Sequence, residues 1–150
     1  MPTLAIQLEN TIHTASQKII LLSNMDVKLT PAKWSKKEIL GHLCDSGTVN
    51  HKRFVDILTS KESITINGYD QNSWVQAHNY QQSFSSNDIL KLWEAINNQI
   101  IKLLDNVKNE QWHLTCKLEN QNVVTLEWLV TDYIDHMNHH LNQIFTNSKN

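Results

Sequence analysis

The chain has 150 residues with only 3 Gly and 2 Pro, where ordinary usage would give about 18; that is too few turn formers for a β-sandwich, a barrel or a linker-rich array. Lys plus Arg number 13 against 15 Asp plus Glu, a formal charge of −2, and no basic stripe marks a nucleic-acid face. One domain over residues 1–150 is the natural reading, large enough to build a core without disulfides.

No apolar run approaches the roughly 20 residues of a membrane span. The opening MPTLAIQLEN has neither the basic nor the apolar region of a signal peptide. Cys44 and Cys116 lie far apart without metal-binding spacing, as expected of a reduced cytoplasmic protein.

Four segments carry helical periodicity. From Thr3 to Asn24, Leu4, Leu8, Ile12, Ala15, Ile19 and Leu22 recur every three or four residues. Pro31 then prevents continuation. A capping box, Ser35-Lys-Lys-Glu38, opens a second helix that runs to about Thr59 with Ile39, Leu43, Gly47, Phe54 and Leu58 on one stripe. Residues 60–86 are less regular. They interleave polar residues with Tyr69, Trp74, Tyr80 and Phe84, an ordered aromatic-rich connection with a short strand at Ser63–Ile66. The third helix begins at Ser85 or Ser86 and carries Ile89, Leu92, Trp93, Ile96, Ile100, Leu103, Leu104 and Val107. A connector follows that can form a small hairpin, with Asn120 or Asn122 supplying a positive φ where Gly is absent. Thr125 caps the fourth helix, which runs to Thr146 through Leu126, Leu129, Val130, Tyr133, Ile134, Met137, Leu141 and Ile144. The pattern predicts an all-α four-helix bundle with a long aromatic-rich connection between helices 2 and 3.

Eight histidines are present, three of them in Asp135-His136-Met-Asn-His139-His140 on the fourth helix. His136 and His140 are four apart, about 40° around the helix axis, so both face the same way and can share a metal. Eight histidines placed at random give roughly 0.4 such pairs, so the spacing alone is weak. A bundle site draws ligands from facing helices, and His42 on the second helix is available. His42, His136 and His140 would make a three-His site with open positions, the arrangement of a catalytic rather than structural ion. Asp45 and Asp132 are candidates to orient a ligand imidazole or to act as general base. His139 points elsewhere, with Asp135 one turn before it as a partner. Gly41 and Gly47 flank His42, which suggests a need for room there. Cys44 sits about 200° from His42 and does not join the site.

These residues carry a resemblance. Trp34-Ser-Lys-Lys-Glu38-Ile-Leu-Gly41-His42-Leu43-Cys44-Asp45 with Asn50-His51 and Arg53-Phe54 resembles the first motif of the DinB-like superfamily. Tyr69-Asp70 with Trp74 resembles a middle motif of its YfiT-like branch, and Thr125-Leu126 through Asp135-His136, His139-His140 and Gln143-Ile144 resembles its C-terminal motif. The resemblance implies an up-down-down-up bundle, a homodimer, and a divalent metal, zinc or nickel, on His42, His136 and His140. It implies metal-dependent hydrolysis of a small-molecule substrate, or transfer chemistry with a low-molecular-weight thiol such as bacillithiol.

Three neutral imidazoles leave an ion's charge undiminished, which suits activation of water or of a thiol. No Glu follows a ligand His as in HExxH, so no base is assigned by motif. Tyr69, Trp74 and Tyr80 can wall a pocket, and Arg53 can hold a substrate carboxylate. A non-catalytic metal-binding dimeric bundle and a purely structural bundle remain as competing readings.

Overall fold

A computed structural model describes residues 3–146. Helix α1 spans Leu4–Ile19, with the Thr3 side chain accepting from the Ile6 N–H at 3.2 Å. It stops short of Asn24. The backbone tightens after Ile19, the Leu21 N–H reaching the Lys18 carbonyl, and Leu21 is 83% exposed, so another turn would bury nothing.

Helix α2 spans Lys36–Thr59 behind a complete capping box. The Ser35 hydroxyl accepts from the Glu38 N–H at 3.1 Å, and the Glu38 carboxylate accepts from the Ser35 N–H at 3.0 Å and from Lys28 at 2.6 Å. Every residue from Leu40 to Gly47 is buried. This half of α2 is therefore not amphipathic: it packs against α5 (Ser86–Asp105), α6 (Leu126–Phe145), α3 (Gln71–His78) and α4 (Tyr80–Ser83). Ser85 and Thr125 cap α5 and α6, accepting from the N–H groups of Asp88 and Trp128. Helices α1 and α2 each pack on both α5 and α6. A buried polar joint ties the last two together: the Tyr133 hydroxyl donates to Asn97 Oδ1 at 2.6 Å, and the Asn97 amide donates to the Trp93 carbonyl.

The expected all-α four-helix bundle is overturned. Among the described residues the chain forms six α-helices, a 3-10 turn at Asn109–His113 and a three-stranded sheet. Strand β1 (Ile64–Thr65) pairs parallel with β2 (Thr115–Lys117), and β2 pairs antiparallel with β3 (Val123–Thr125). Residues 60–86 hold the expected short strand and, beyond it, two helices rather than a connection laying aromatics over the bundle. They form β1, α3 and α4, and Tyr69, Trp74, Tyr80 and Phe84 touch rings of their own segment rather than building an aromatic cluster between helices. The physical reason is pairing across distance: Ile64 is registered with Cys116, and strands of two or three residues show no alternation of their own. In the hairpin, Gln121 takes the positive φ of 71°, not an asparagine; Asn120 Oδ1 instead accepts from the Asn122 N–H at 3.0 Å.

The two helical glycines make room for neighbours, not for a metal. A Cβ on Gly41 would lie 2.3 Å from the Tyr80 ring, and one on Gly47 would lie 2.7 Å from Ile96 Cγ2. Because Tyr80 is buried and rigid, Gly41→Ala should destabilise the protein by about 1–2 kcal/mol. Overpacking there outweighs the helix-propensity gain of about 1 kcal/mol, and urea denaturation measures the difference.

Candidate metal centre

His42 emerges from the buried half of α2 and faces His136 and His140 on adjacent turns of α6. One ligand-type nitrogen from each lies within 4.8 Å of the others. The Nε2 atoms of His136 and His140 are 3.2 Å apart, and the His42 ring centroid stands 5.3 and 4.7 Å from theirs. Nitrogens held about 2.0–2.1 Å from one ion can be at most about 4.2 Å apart, so only small side-chain rotations separate this arrangement from a chelate. Trp34 covers His42, with ring centroids 5.1 Å apart.

The polar atoms fit an ion. His42 is fully buried, yet neither ring nitrogen has a hydrogen-bond partner, an arrangement that costs about 1–3 kcal/mol unless a ligand repays it. His140 Nδ1 contacts Gln143 Oε1 at 2.8 Å. An amide oxygen only accepts, so the proton sits on Nδ1 and the Nε2 lone pair faces His136. The Gln143 amide nitrogen is 3.5 Å from His139 Nε2, so His139 turns to Gln143 rather than to Asp135. Burial, reinforced by His140 and His136, holds His42 down to about 3. Burial with His140 and His139 holds His136 down to about 4. Burial also lowers His140, against the Gln143 hydrogen bond. All three imidazoles are therefore neutral at physiological pH, the form that binds metals.

None of the remaining predicted residues joins this ligand cluster. Asp45 is 2% exposed and accepts from the Tyr80 hydroxyl at 2.6 Å, with His78 Nδ1 at 3.1 Å from the same oxygen. Asp132 is exposed; burial and Asp135 raise its carboxyl while Arg53 lowers it. Arg53, Tyr69 and Trp74 line one cavity of about 400 Å³ with Thr48 and Lys52. Arg53 already donates to the Asn67 carbonyl, and it stands eleven residues beyond His42, about 16 Å along the helix. Tyr80, expected in a pocket wall, is buried against Gly41. A separate cleft of about 330 Å³ is rimmed by Trp34, Ile39, Asn72 and Gln143, touching the residues that back His42 and His140.

A model of the DinB superfamily matches residues 21–144. The chain belongs to the DinB superfamily. Among solved structures, this DinB-superfamily chain is similar to YfiT from Bacillus subtilis, described as a probable metal-dependent hydrolase with an unusual four-helix bundle topology. The TM-score is 0.79 at 22% identity, covering 93% of this chain and 81% of YfiT, so the two share a fold. No curated protein matches the sequence significantly. Among the described residues no helix is long and apolar enough to cross a membrane.

His78 and the orienting role of Gln143 were not singled out from sequence. Gln143 was findable, since three residues after His140 it shares a helix face. His78 carried no local signal, because its partner Asp45 lies on another helix.

Two outcomes follow from this geometry. Without metal, the unfolded chain takes up protons on these imidazoles below its pKa of about 6.5, whereas the folded chain resists until about 3 to 4. Stability is thus full above pH 6.5 and lost as the pH falls through that window. Thermal melts of chelator-treated protein should drop between pH 7.5 and 5, and drop less in His42→Asn. Gln143→Ala should weaken zinc affinity by roughly 10–100-fold in chelator competition, because the His140 tautomer is no longer held.

Proposed function

We propose that this protein is a metal-dependent hydrolase of a small-molecule substrate, with His42, His136 and His140 holding one divalent ion. The observation that carries the reading is the convergence of three neutral imidazoles, the buried His42 with both nitrogens unpartnered and the half-buried His136 and His140. The description of YfiT as a probable metal-dependent hydrolase supports it. Zinc or nickel suits an all-imidazole donor set.

When bound, the ion would polarise a substrate oxygen and lower the pKa of water at the site. The chain's own residues prepare for this. Burial keeps the three rings neutral, Gln143 directs His140 Nε2 inward, and Trp34 shields His42 from solvent. The cleft bounded by Trp34, Asn72 and Gln143 is of a size for a small ligand. Arg53, with Tyr69 and Trp74, lines a second cavity that suits an anionic group, at a distance along α2 that a compact substrate would not bridge.

Elemental analysis of untagged protein tests the reading. Wild type should carry close to one equivalent of zinc or nickel, and His136→Ala/His140→Ala almost none. Turnover of a panel of p-nitrophenyl esters and p-nitroanilides should vanish in the double variant. Activity confined to a thiol plus an electrophilic acceptor would replace hydrolysis with thiol transfer, and metal without either activity would leave a binding protein.

A further inference from the structure

We propose that His78 is the proton-transfer residue of this active site, with the Asp45 carboxylate as its positioning group. The inference rests on the hydrolytic reading above and supplies the base that no sequence motif assigned.

The geometry is that of a carboxylate–imidazole dyad. Asp45 follows His42 by three residues, about 4.5 Å along α2, and its side chain is 2% exposed. Its Oδ1 receives the Tyr80 hydroxyl at 2.6 Å and faces His78 Nδ1 at 3.1 Å. An ionised carboxylate only accepts, so the neutral imidazole keeps its proton on Nδ1 and presents the Nε2 lone pair. The His78 side chain is 45% exposed, and its Nδ1 lies against the buried Asp45 carboxylate. The Tyr80 ring stacks beside His78 at 5.0 Å and Trp74 stands at 6.2 Å, which restricts the imidazole from two sides. Asp45 from α2 and Tyr80 from α4 are ionisable groups that face it.

The dyad leaves one buried polar atom, Asp45 Oδ2, without a partner. Among the described residues, six buried side-chain polar atoms lack a partner. Three belong to one turn of α2: both nitrogens of His42 and Asp45 Oδ2. The three-His cluster and the dyad thus flank a single turn of α2 whose polar atoms await a partner. Helix α3, which carries His78, also contributes Asn72 to the rim of the cleft beside Trp34 and Gln143.

In hydrolysis of an ester or amide, His78 Nε2 would take one proton from water as its oxygen bonds to the carbonyl carbon. The imidazolium would return that proton to the departing oxygen or nitrogen as the old C–O or C–N bond breaks. One water is consumed, an acid and an alcohol or amine form, and His78 ends neutral. Asp45 is not consumed: it holds the tautomer and offsets the transient positive charge.

The test uses zinc-loaded full-length protein with p-nitrophenyl acetate and a p-nitroanilide as probes. His78→Asn is the informative variant, because its amide can still donate to Asp45 from the Nδ1 position but has no basic nitrogen. Its kcat/KM should fall about 100- to 10,000-fold, with zinc content and thermal midpoint unchanged. His78→Ala should lose activity to the same extent. Nitrogen-15 spectra of the histidines should place the His78 proton on Nδ1 in wild type. A His78→Asn variant within about threefold of wild type, or a wild-type proton on Nε2, overturns the assignment while leaving the metal-dependent hydrolase intact. Wild-type turnover that does not depend on His136 and His140 overturns the hydrolytic reading, and this assignment with it.

Discussion

His42 is buried completely and neither of its nitrogens is hydrogen-bonded, and the rest of the centre follows from that constraint. A charged imidazole cannot be kept in such a place, so burial drives the ring to its neutral form and leaves a lone pair inside the protein. His136 and His140 stand where that lone pair can be shared, and each lowers the basicity of its neighbours further. The cluster is an unfavourable arrangement for a metal-free fold and a favourable one for a fold that binds a cation. The burial that costs the metal-free fold stability is also what keeps these lone pairs available to a cation.

The burial of His42 depends in turn on how α2 is enclosed. With α5 and α6 packed on it and α3 and α4 laid over it, the Leu40–Gly47 segment has no solvent-facing side. Gly41 allows the Tyr80 ring to sit directly on the helix backbone, and Gly47 allows Ile96 of α5 to approach. Tyr80 then delivers its hydroxyl to Asp45, so one aromatic residue both closes the helix from outside and anchors a buried carboxylate. Packing and electrostatics are coupled here: burial holds the Asp45 carboxyl above its ordinary value, against the Tyr80 hydrogen bond and the nearby His78.

Much of the local structure was legible in the chain. The Ser35–Glu38 capping box and the Thr125 cap mark helix starts where the structure has them, and the apolar repeats of α1, α5 and α6 match their buried faces. The i, i+4 pair His136 and His140 could be placed on one face by helical geometry alone. Of the sheet, the short strand around Ile64 and the later hairpin were legible, whereas the parallel pairing of β1 with β2 was not, because it joins residues far apart in the chain. The supposed four-helix all-α architecture failed for that reason, and residues 60–86 became two helices and a strand. The glycines marked where a neighbour comes close, but a missing Cβ does not tell which neighbour it is.

By itself, then, the sequence determined the elements whose cause is local: helix caps, apolar stripes, and the two histidines that a single helix must present together. Its motifs also carried the resemblance to the superfamily to which the chain belongs. Only the tertiary structure decided that His42 joins the pair, that Asp45 turns to Tyr80 and His78, and that Arg53 with Tyr69 and Trp74 lines a different cavity. The reason is that these relations join separate elements. Helical periodicity fixes angles about one axis, whereas the distance between side chains on different helices is set by packing, and packing is where the unpartnered polar atoms arise.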